Sequence, residues 1–276
     1  MGDSAITVLS PEKRVELMQY ATPNGGVNSF PHLGDKTVRN KFQAQTWGEF
    51  VATDFGGQPY TIQDLLPDQG LAVIHGRGKE QKTTLVIHEC RAIATGQPFL
   101  GKPTHQKKVL YLNYEMSFNY LQELLKAGGV VPDNAYILNR PEPVLTLETV
   151  NALFETLVPG GIMVIDSFRG AFRLHGEAEN HAGGAGVILR GLQDIALKHK
   201  GIVQVIHHRN RNQGKDGTDA ISGTSDWIAA PDIIWSWSRS DREKPGTLII
   251  EGRMPPIDPL SVSVSPEECL FLGSSV

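Results

Sequence analysis

Leu71-Ala72-Val73-Ile74-His75-Gly76-Arg77-Gly78-Lys79-Glu80-Gln81-Lys82-Thr83-Thr84-Leu85 decides how the rest of this chain is read. An apolar run of strand length enters a polar loop, and the loop opens a helix on Lys82-Thr83-Thr84. Such a junction reads as an anion site, with an ordinary strand-to-helix turn that happens to contain Lys-Thr as the alternative. Backbone N–H groups point at phosphate oxygens, and the helix dipole favours negative charge there. In the pattern G-x-x-x-x-G-K-[ST] the lysine reaches the terminal phosphates and the hydroxyl ligates Mg²⁺. Gly76, Lys82 and Thr83 have that spacing. The expected nucleotide-binding residues are therefore Gly76, Arg77, Gly78, Lys79, Glu80, Gln81, Lys82, Thr83 and Thr84. One position departs: Gln81 stands where the second glycine belongs. If that position is left-handed, a residue with a Cβ costs about 1–2 kcal/mol there. Either the loop takes another path, or binding is weakened.

Outward from the loop the punctuation is regular. Lys82–Thr95 is apolar nearly all round, which predicts a buried helix closed by Gly96. Strands are expected at 109–113, 135–138, 162–166, 202–207, 233–237 and 247–251. Helices are expected after Ser117, after Thr146 and over 187–200, with Ser117 and Thr146 as caps. Apolar strands alternating with helices predict a parallel sheet covered on both faces. Residues 1–45 are polar and broken by prolines and glycines, with helix expected only over 11–20. They read as an arm, disordered or packed on a neighbouring subunit. Residues 46–276 read as one α/β domain, with Trp47–Phe50 and Ile62–Pro67 docking just before its first core strand.

The bulk numbers exclude several classes. Of 276 residues, 40% are hydrophobic and 20% charged, as in a soluble globular protein. A net charge of −4 argues against a chain that is basic throughout, but not against local basic loops. Cys90 and Cys269 form neither a disulfide framework nor a zinc motif, so a reducing cytoplasm is the simplest setting. No charged-then-apolar leader is visible, and no apolar run approaches the ~18 residues that span a bilayer. No membrane association is expected.

In parallel sheets ligands bind at the carboxyl ends of the strands, so the residues that end each strand can be read as one site. Asp166 ends 162–166 and fits the acidic residue that holds Mg²⁺ beside a phosphate loop. Glu115 follows 109–113 and suits a base that orients water, since Ser167 occupies the place where some ATPases carry that glutamate. A surface glutamate at a helix entrance is the bland alternative. His207 and His208 follow 202–206. Adjacent strand residues face opposite ways, so they make a poor ligand pair for one ion. One of them is read as a sensor of the γ-phosphate or the attacking water, with a structural histidine as the alternative. Two polar basic loops follow on the same edge, 167–176 with Arg169 and Arg173, and 209–217 with Arg209, Arg211 and Lys215. Both are expected to be mobile and suited to a nucleic-acid backbone. Arg253, after the last expected strand, is a candidate arginine finger toward a neighbour's ATP.

These residues, taken together, resemble a known family. The order is phosphate loop, Leu112-Asn113-Tyr114-Glu115-Met116-Ser117, Asp166-Ser167, His207-His208, then Ser222-Gly223-Thr224-Ser225 and Asp232. It resembles the RecA-like ATPases of the plasmid RepA helicase type, also described as AAA family ATPases, over about residues 60–255. Ala94-Thr95-Gly96-Gln97-Pro98-Phe99-Leu100-Gly101 and Glu179-Asn180 are also family-like. The resemblance implies a RecA-like P-loop NTPase core that assembles into a homo-oligomeric hexameric ring or filament. ATP would sit between subunits, and single-stranded DNA in a central channel. It implies that Lys82 and Thr83 bind phosphate and Mg²⁺, Glu115 activates water, Asp166 holds Mg²⁺, and His207 or His208 couples nucleotide state to the DNA loops. Gln81 and Ser222 depart from the pattern, and Lys79 fits a variant of the loop. These departures bear on hydrolysis and DNA coupling rather than on fold.

The expected function is an ATP-hydrolysing motor on DNA, of helicase or loader type, in replication or recombination of a mobile element. Two rivals are a nucleotide-binding switch with little hydrolysis and a P-loop small-molecule kinase. Arg239 and Arg242 are too sparse for the arginine lid of a kinase.

Overall fold

The computed structural model describes residues 44–54, 60–173, 184–208, 225–241 and 243–274. Its contacts divide the chain into two units, Met1–Gln58 and Pro59–Val276. In the first unit, Trp47–Ala52 forms helix α1, so Trp47–Phe50 fall in this unit and not in the second. The helix starts with a capping box: the Thr46 hydroxyl accepts from Glu49 N–H, and Glu49 reaches back to Thr46 N–H at 2.6 Å.

The second unit opens with a small ribbon, β1 (Tyr60–Ile62) against β2 (Leu66–Pro67). The core then runs β3 (Gly70–Gly76), α2 (Lys82–Thr95), β4 (Val109–Asn113), α3 (Phe118–Ala127), β5 (Ala135–Asn139), α4 (Leu147–Leu157) and β6 (Ile162–Asp166). It continues with α5 (Phe168–Phe172), α6 (Gly184–Lys198), β7 (Ile202–His208), α7 (Asp226–Ala229) and β8 (Ile233–Ser238). It ends with β9 (Gly246–Gly252), β10 (Leu260–Val264) and β11 (Cys269–Ser274).

The nine strands of the large sheet lie in the order β11-β10-β9-β8-β3-β7-β6-β4-β5. From β8 to β5 every pairing is parallel. β9, β10 and β11 extend the sheet antiparallel beyond β8. β3, β4 and β6 are buried along their whole length, as expected of strands covered on both faces. One apolar layer joins α2 and α3 to the sheet through residues such as Leu85, Ile93, Ile74, Trp235 and Leu121. The other joins α4, α5, α6 and α7 through Phe154, Phe168, Leu189, Leu192, Trp227 and Val205. Each such side chain, fully buried, contributes roughly 1.5–3 kcal/mol relative to exposure.

The register aligns the carboxyl ends. Asn113 lies opposite both Asp166 and Asn139, and Gly76 lies opposite His208. β3 sits between β7 and β8, so its phosphate loop emerges at the middle of the nine-stranded sheet. Two expectations are corrected here. The start of the supposed mobile loop 167–176 is helix α5, whose Phe168 and Phe172 are buried four residues apart on one face. The chain beyond 252 adds two strands that the sequence reading omitted.

Candidate nucleotide site

The loop from Gly76 to Lys82 is held by its neighbours as much as by itself. Gly76 is required by close approach: a Cβ there would lie 2.5 Å from the carbonyl oxygen of Trp237 on β8. The Trp237 indole N–H donates to the carbonyl of Glu80. Glu80 also turns its carboxylate inward, where it accepts from Arg77 N–H at 2.9 Å. Arg77, Gly78 and Lys79 form the exposed tip, and a Cβ at Gly78 would meet nothing. Thr84 is buried in the first turn of α2.

Gln81 resolves the question posed by its identity. Its φ of 64° and ψ of 29° are left-handed, and it caps the N-terminus of α2 without a side-chain capping bond. The loop thus takes the path that glycine would take, with the strain that implies. The Gln81 side chain accepts a hydrogen bond from the Arg239 guanidinium. Lys79 is left-handed as well, at φ 69°.

Lys82 is 5% exposed, and its ammonium donates to the carbonyls of Gly76 at 2.9 Å and Arg77 at 2.6 Å. Burial lowers its pKa, while Glu80, Glu115 and Asp166 pull it back up. A buried ammonium ringed by carboxylates and carbonyls lies beside the N-terminus of α2, where an anion is favoured.

Thr83 and Asp166 meet directly: the hydroxyl donates to Asp166 Oδ2 at 2.7 Å. The Tyr111 hydroxyl of β4 donates to the same oxygen. Asp166 is fully buried, and burial raises its pKa against the pull of Tyr111 and Thr83. Its Oδ1 is buried with no hydrogen-bond partner. An orphaned carboxylate oxygen beside a threonine hydroxyl is a hard-oxygen pair of the kind that Mg²⁺ takes, with phosphate and water completing its shell. The residues fit that ion. Among the described residues no cluster of three or more His, Cys, Asp or Glu suggests another metal site.

Glu115 stands one strand further along the edge. Asn113 builds the turn that presents it. The Asn113 side-chain oxygen accepts from Glu115 N–H at 3.3 Å and Met116 N–H at 2.9 Å, and its amide donates to Asn139 at 3.0 Å. Glu115 Oε2 lies 3.2 Å from His208 Nε2. That hydrogen bond, assisted by Ser167 and Lys82, holds the Glu115 carboxyl below its ordinary range, so it is ionised at neutral pH.

The two histidines part company. His208 faces Glu115, whereas His207 is 2% exposed and stacks on Trp227 at 3.7 Å between ring centroids. His207 also meets the edge of Phe168. It packs in the core against α5 and α7. Arg253 is likewise not brought to this site. β9 runs antiparallel, so Arg253 lies at the opposite end of the sheet from the phosphate loop, where it donates to Asp232 at 2.6 Å. Asp232 also accepts from Leu71 N–H at the start of β3. Arg169 lies on α5 and Arg173 caps it with φ 47°. Arg209, Arg211 and Lys215 lie outside the described residues, as do Glu179, Asn180, Ser222 and the expected helix over 11–20. Tyr111 and Arg239 were not singled out in the sequence as parts of the site.

Among the described residues no helix is long and apolar enough to cross a membrane. No curated protein matches the sequence. Among solved structures, an ATPase domain is 14% identical, with a TM-score of 0.60 over 75% of this chain and 86% of that one. The RadB recombinase is 17% identical, with a TM-score of 0.52 over 74% of this chain and 91% of that one. A KaiC-like protein from Pyrococcus horikoshii OT3 is 12% identical, with a TM-score of 0.50 over 77% and 94%. At these identities the likeness is one of fold. A family model, the AAA domain, matches residues 39–214, well over half of the chain. Loop, sheet and family model agree: the chain belongs to the AAA domain family, and its core has the RecA-like fold.

Proposed function

We propose that this chain binds and hydrolyses ATP with Mg²⁺ at the carboxyl edge of the parallel sheet and uses the turnover to act on DNA. The observation that carries the reading is the orphaned Asp166 Oδ1 beside Thr83, one step from buried Lys82. Lys82 leaves the loop carbonyls for the β- and γ-phosphates, and the loop N–H groups take the phosphate oxygens. Thr83 and Asp166 would hold Mg²⁺, whose charge would offset the charge that develops on the transferred phosphoryl group. Glu115, ionised and fixed by His208, accepts a hydrogen bond from the attacking water and orients it. Arg239 is buried under the loop, not over the phosphates, so it does not form a kinase lid.

Action on DNA rests on placement. α5 follows directly from Asp166, and Arg173 shares a cleft of 320 Å³ with Arg140, Glu142 and Tyr114. A single-stranded backbone there would sense the turn that carries Glu115. A homo-oligomeric ring or filament, and a helicase or loader role, are the assembly and task we assign to it.

The test is steady-state ATP hydrolysis with and without single-stranded DNA. Lys82→Ala is expected to lower turnover by at least about 100-fold. Arg173→Ala is expected to blunt DNA stimulation while leaving turnover without DNA unchanged. ATP bound tightly but turned over neither with nor without DNA would replace the motor by a nucleotide switch.

A further inference from the structure

Gln81 is the residue of the loop that ought not to work, and the structure shows what stands beside it. Arg239 follows β8 directly and is 8% exposed. Its guanidinium is fixed from three directions. Nε donates to the carbonyls of Lys244 at 2.7 Å and Asp241 at 3.1 Å, across the turn from β8 to β9. Nη1 donates to the carbonyl of Val264, at the end of β10, at 2.7 Å. The same Nη1 donates to the Gln81 side-chain oxygen. Two residues earlier, Trp237 donates to Glu80 and crowds Gly76. The antiparallel end of the sheet thus grips the phosphate loop at three of its residues, Gly76, Glu80 and Gln81.

We propose that Arg239 is a positioning residue for the phosphate loop: anchored by the β8–β9 turn and β10, it holds Gln81 in the left-handed turn that glycine would adopt unaided. Glycine takes such a turn at no steric cost. Glutamine does not, but it brings an acceptor, and a planar guanidinium can hold that acceptor and the Val264 carbonyl together. The glycine is replaced by a contact between residues 158 positions apart in the chain. The proposal deepens the nucleotide-site reading and rests on it for its effect on ATP.

The experiment is a rescue. ATP affinity is measured by equilibrium dialysis, and amide exchange is followed over residues 77–84. The proteins are wild type, Gln81→Gly, Gln81→Ala, Arg239→Ala and Gln81→Gly with Arg239→Ala. Gln81→Ala leaves the hairpin intact and removes only the acceptor. Both Gln81→Ala and Arg239→Ala are expected to weaken ATP binding about tenfold, the scale of an uncompensated left-handed residue, and to speed exchange in the loop. In the Gln81→Gly background, Arg239→Ala is expected to change affinity by less than about twofold. Equal losses in both backgrounds, or a Gln81→Ala protein that behaves as wild type, would overturn the proposal. If the wild type binds no ATP, the nucleotide reading fails. The exchange rates still decide the clamp, because they need no ligand: loop protection lost in Gln81→Ala and insensitive to Arg239 in Gln81→Gly upholds it, and unchanged protection ends it.

Discussion

Glu115→Gln is expected to bind ATP within a few-fold of the wild type and to lose turnover by about 10²–10⁴-fold. The substitution keeps the shape of the side chain and an acceptor oxygen for His208. It removes the charge that turns the water's lone pair toward phosphorus. The turn on Asn113 is untouched, so Lys82, Thr83 and Asp166 stay in place. The pH profile adds a second handle. His208 holds the Glu115 carboxyl below its ordinary range, so it stays ionised as pH falls into the usual carboxylate range. In His208→Ala that protection goes, and the acid limb of turnover is expected to move to higher pH. Single-turnover hydrolysis beside ATP binding separates the two steps. A Glu115→Gln protein that keeps more than about a tenth of wild-type turnover would remove Glu115 from the chemistry.

Glu89→Gln is expected to make the protein more stable in mild alkali. Glu89 lies on α2, fully buried, facing Gln204 of β7, whose amide reaches both carboxylate oxygens at 3.0 and 3.3 Å. Burial pushes its pKa from 4.5 up to about 8, against the pull of Gln204. The folded state therefore keeps a proton that the unfolded chain gives up. Stability from this group is fully present below about pH 4.5 and is lost as pH rises through about 8. A shift of that size corresponds to roughly 3–5 kcal/mol once the group is ionised. Urea unfolding at pH 5, 7 and 9 reads it directly. Wild type should lose stability along that series, and Glu89→Gln should lose much less. Parallel slopes in the two proteins would mean that Glu89 is not the group that titrates.

Much of this architecture is legible in the chain because strands buried on both faces are written as unbroken apolar runs, and each run here ends in a polar residue. Val109–Asn113 and Ile162–Asp166 fall where their composition puts them. The missed strands had a different grammar. Leu260-Ser261-Val262-Ser263-Val264 alternates with period two, the mark of a half-buried antiparallel strand, but it lies beyond Arg253, where no further element was expected. The arginines around α5 hid the apolar face made by Phe168 and Phe172. Pleating told that His207 and His208 face opposite ways. It did not tell which faces the site, because both faces of β7 are buried. Tyr111 and Arg239 were out of reach for another reason. Their partners are distant in sequence, and a tyrosine in a strand or an arginine in a turn has many ordinary uses.

The buried Glu89–Gln204 pair has one further consequence. β7 is apolar on both sides apart from Gln204 and its terminal histidines, so side-chain chemistry alone would tolerate its sliding by one residue against β3 and β6. A slip would turn a valine toward Glu89 and leave the carboxyl without its amide, in a place closed to bulk solvent. It would also carry His208 to the other side of the pleat, away from Glu115. The contact that costs stability at high pH therefore penalises misaligned chains during folding, and the alignment it selects is the one that brings the nucleotide edge together.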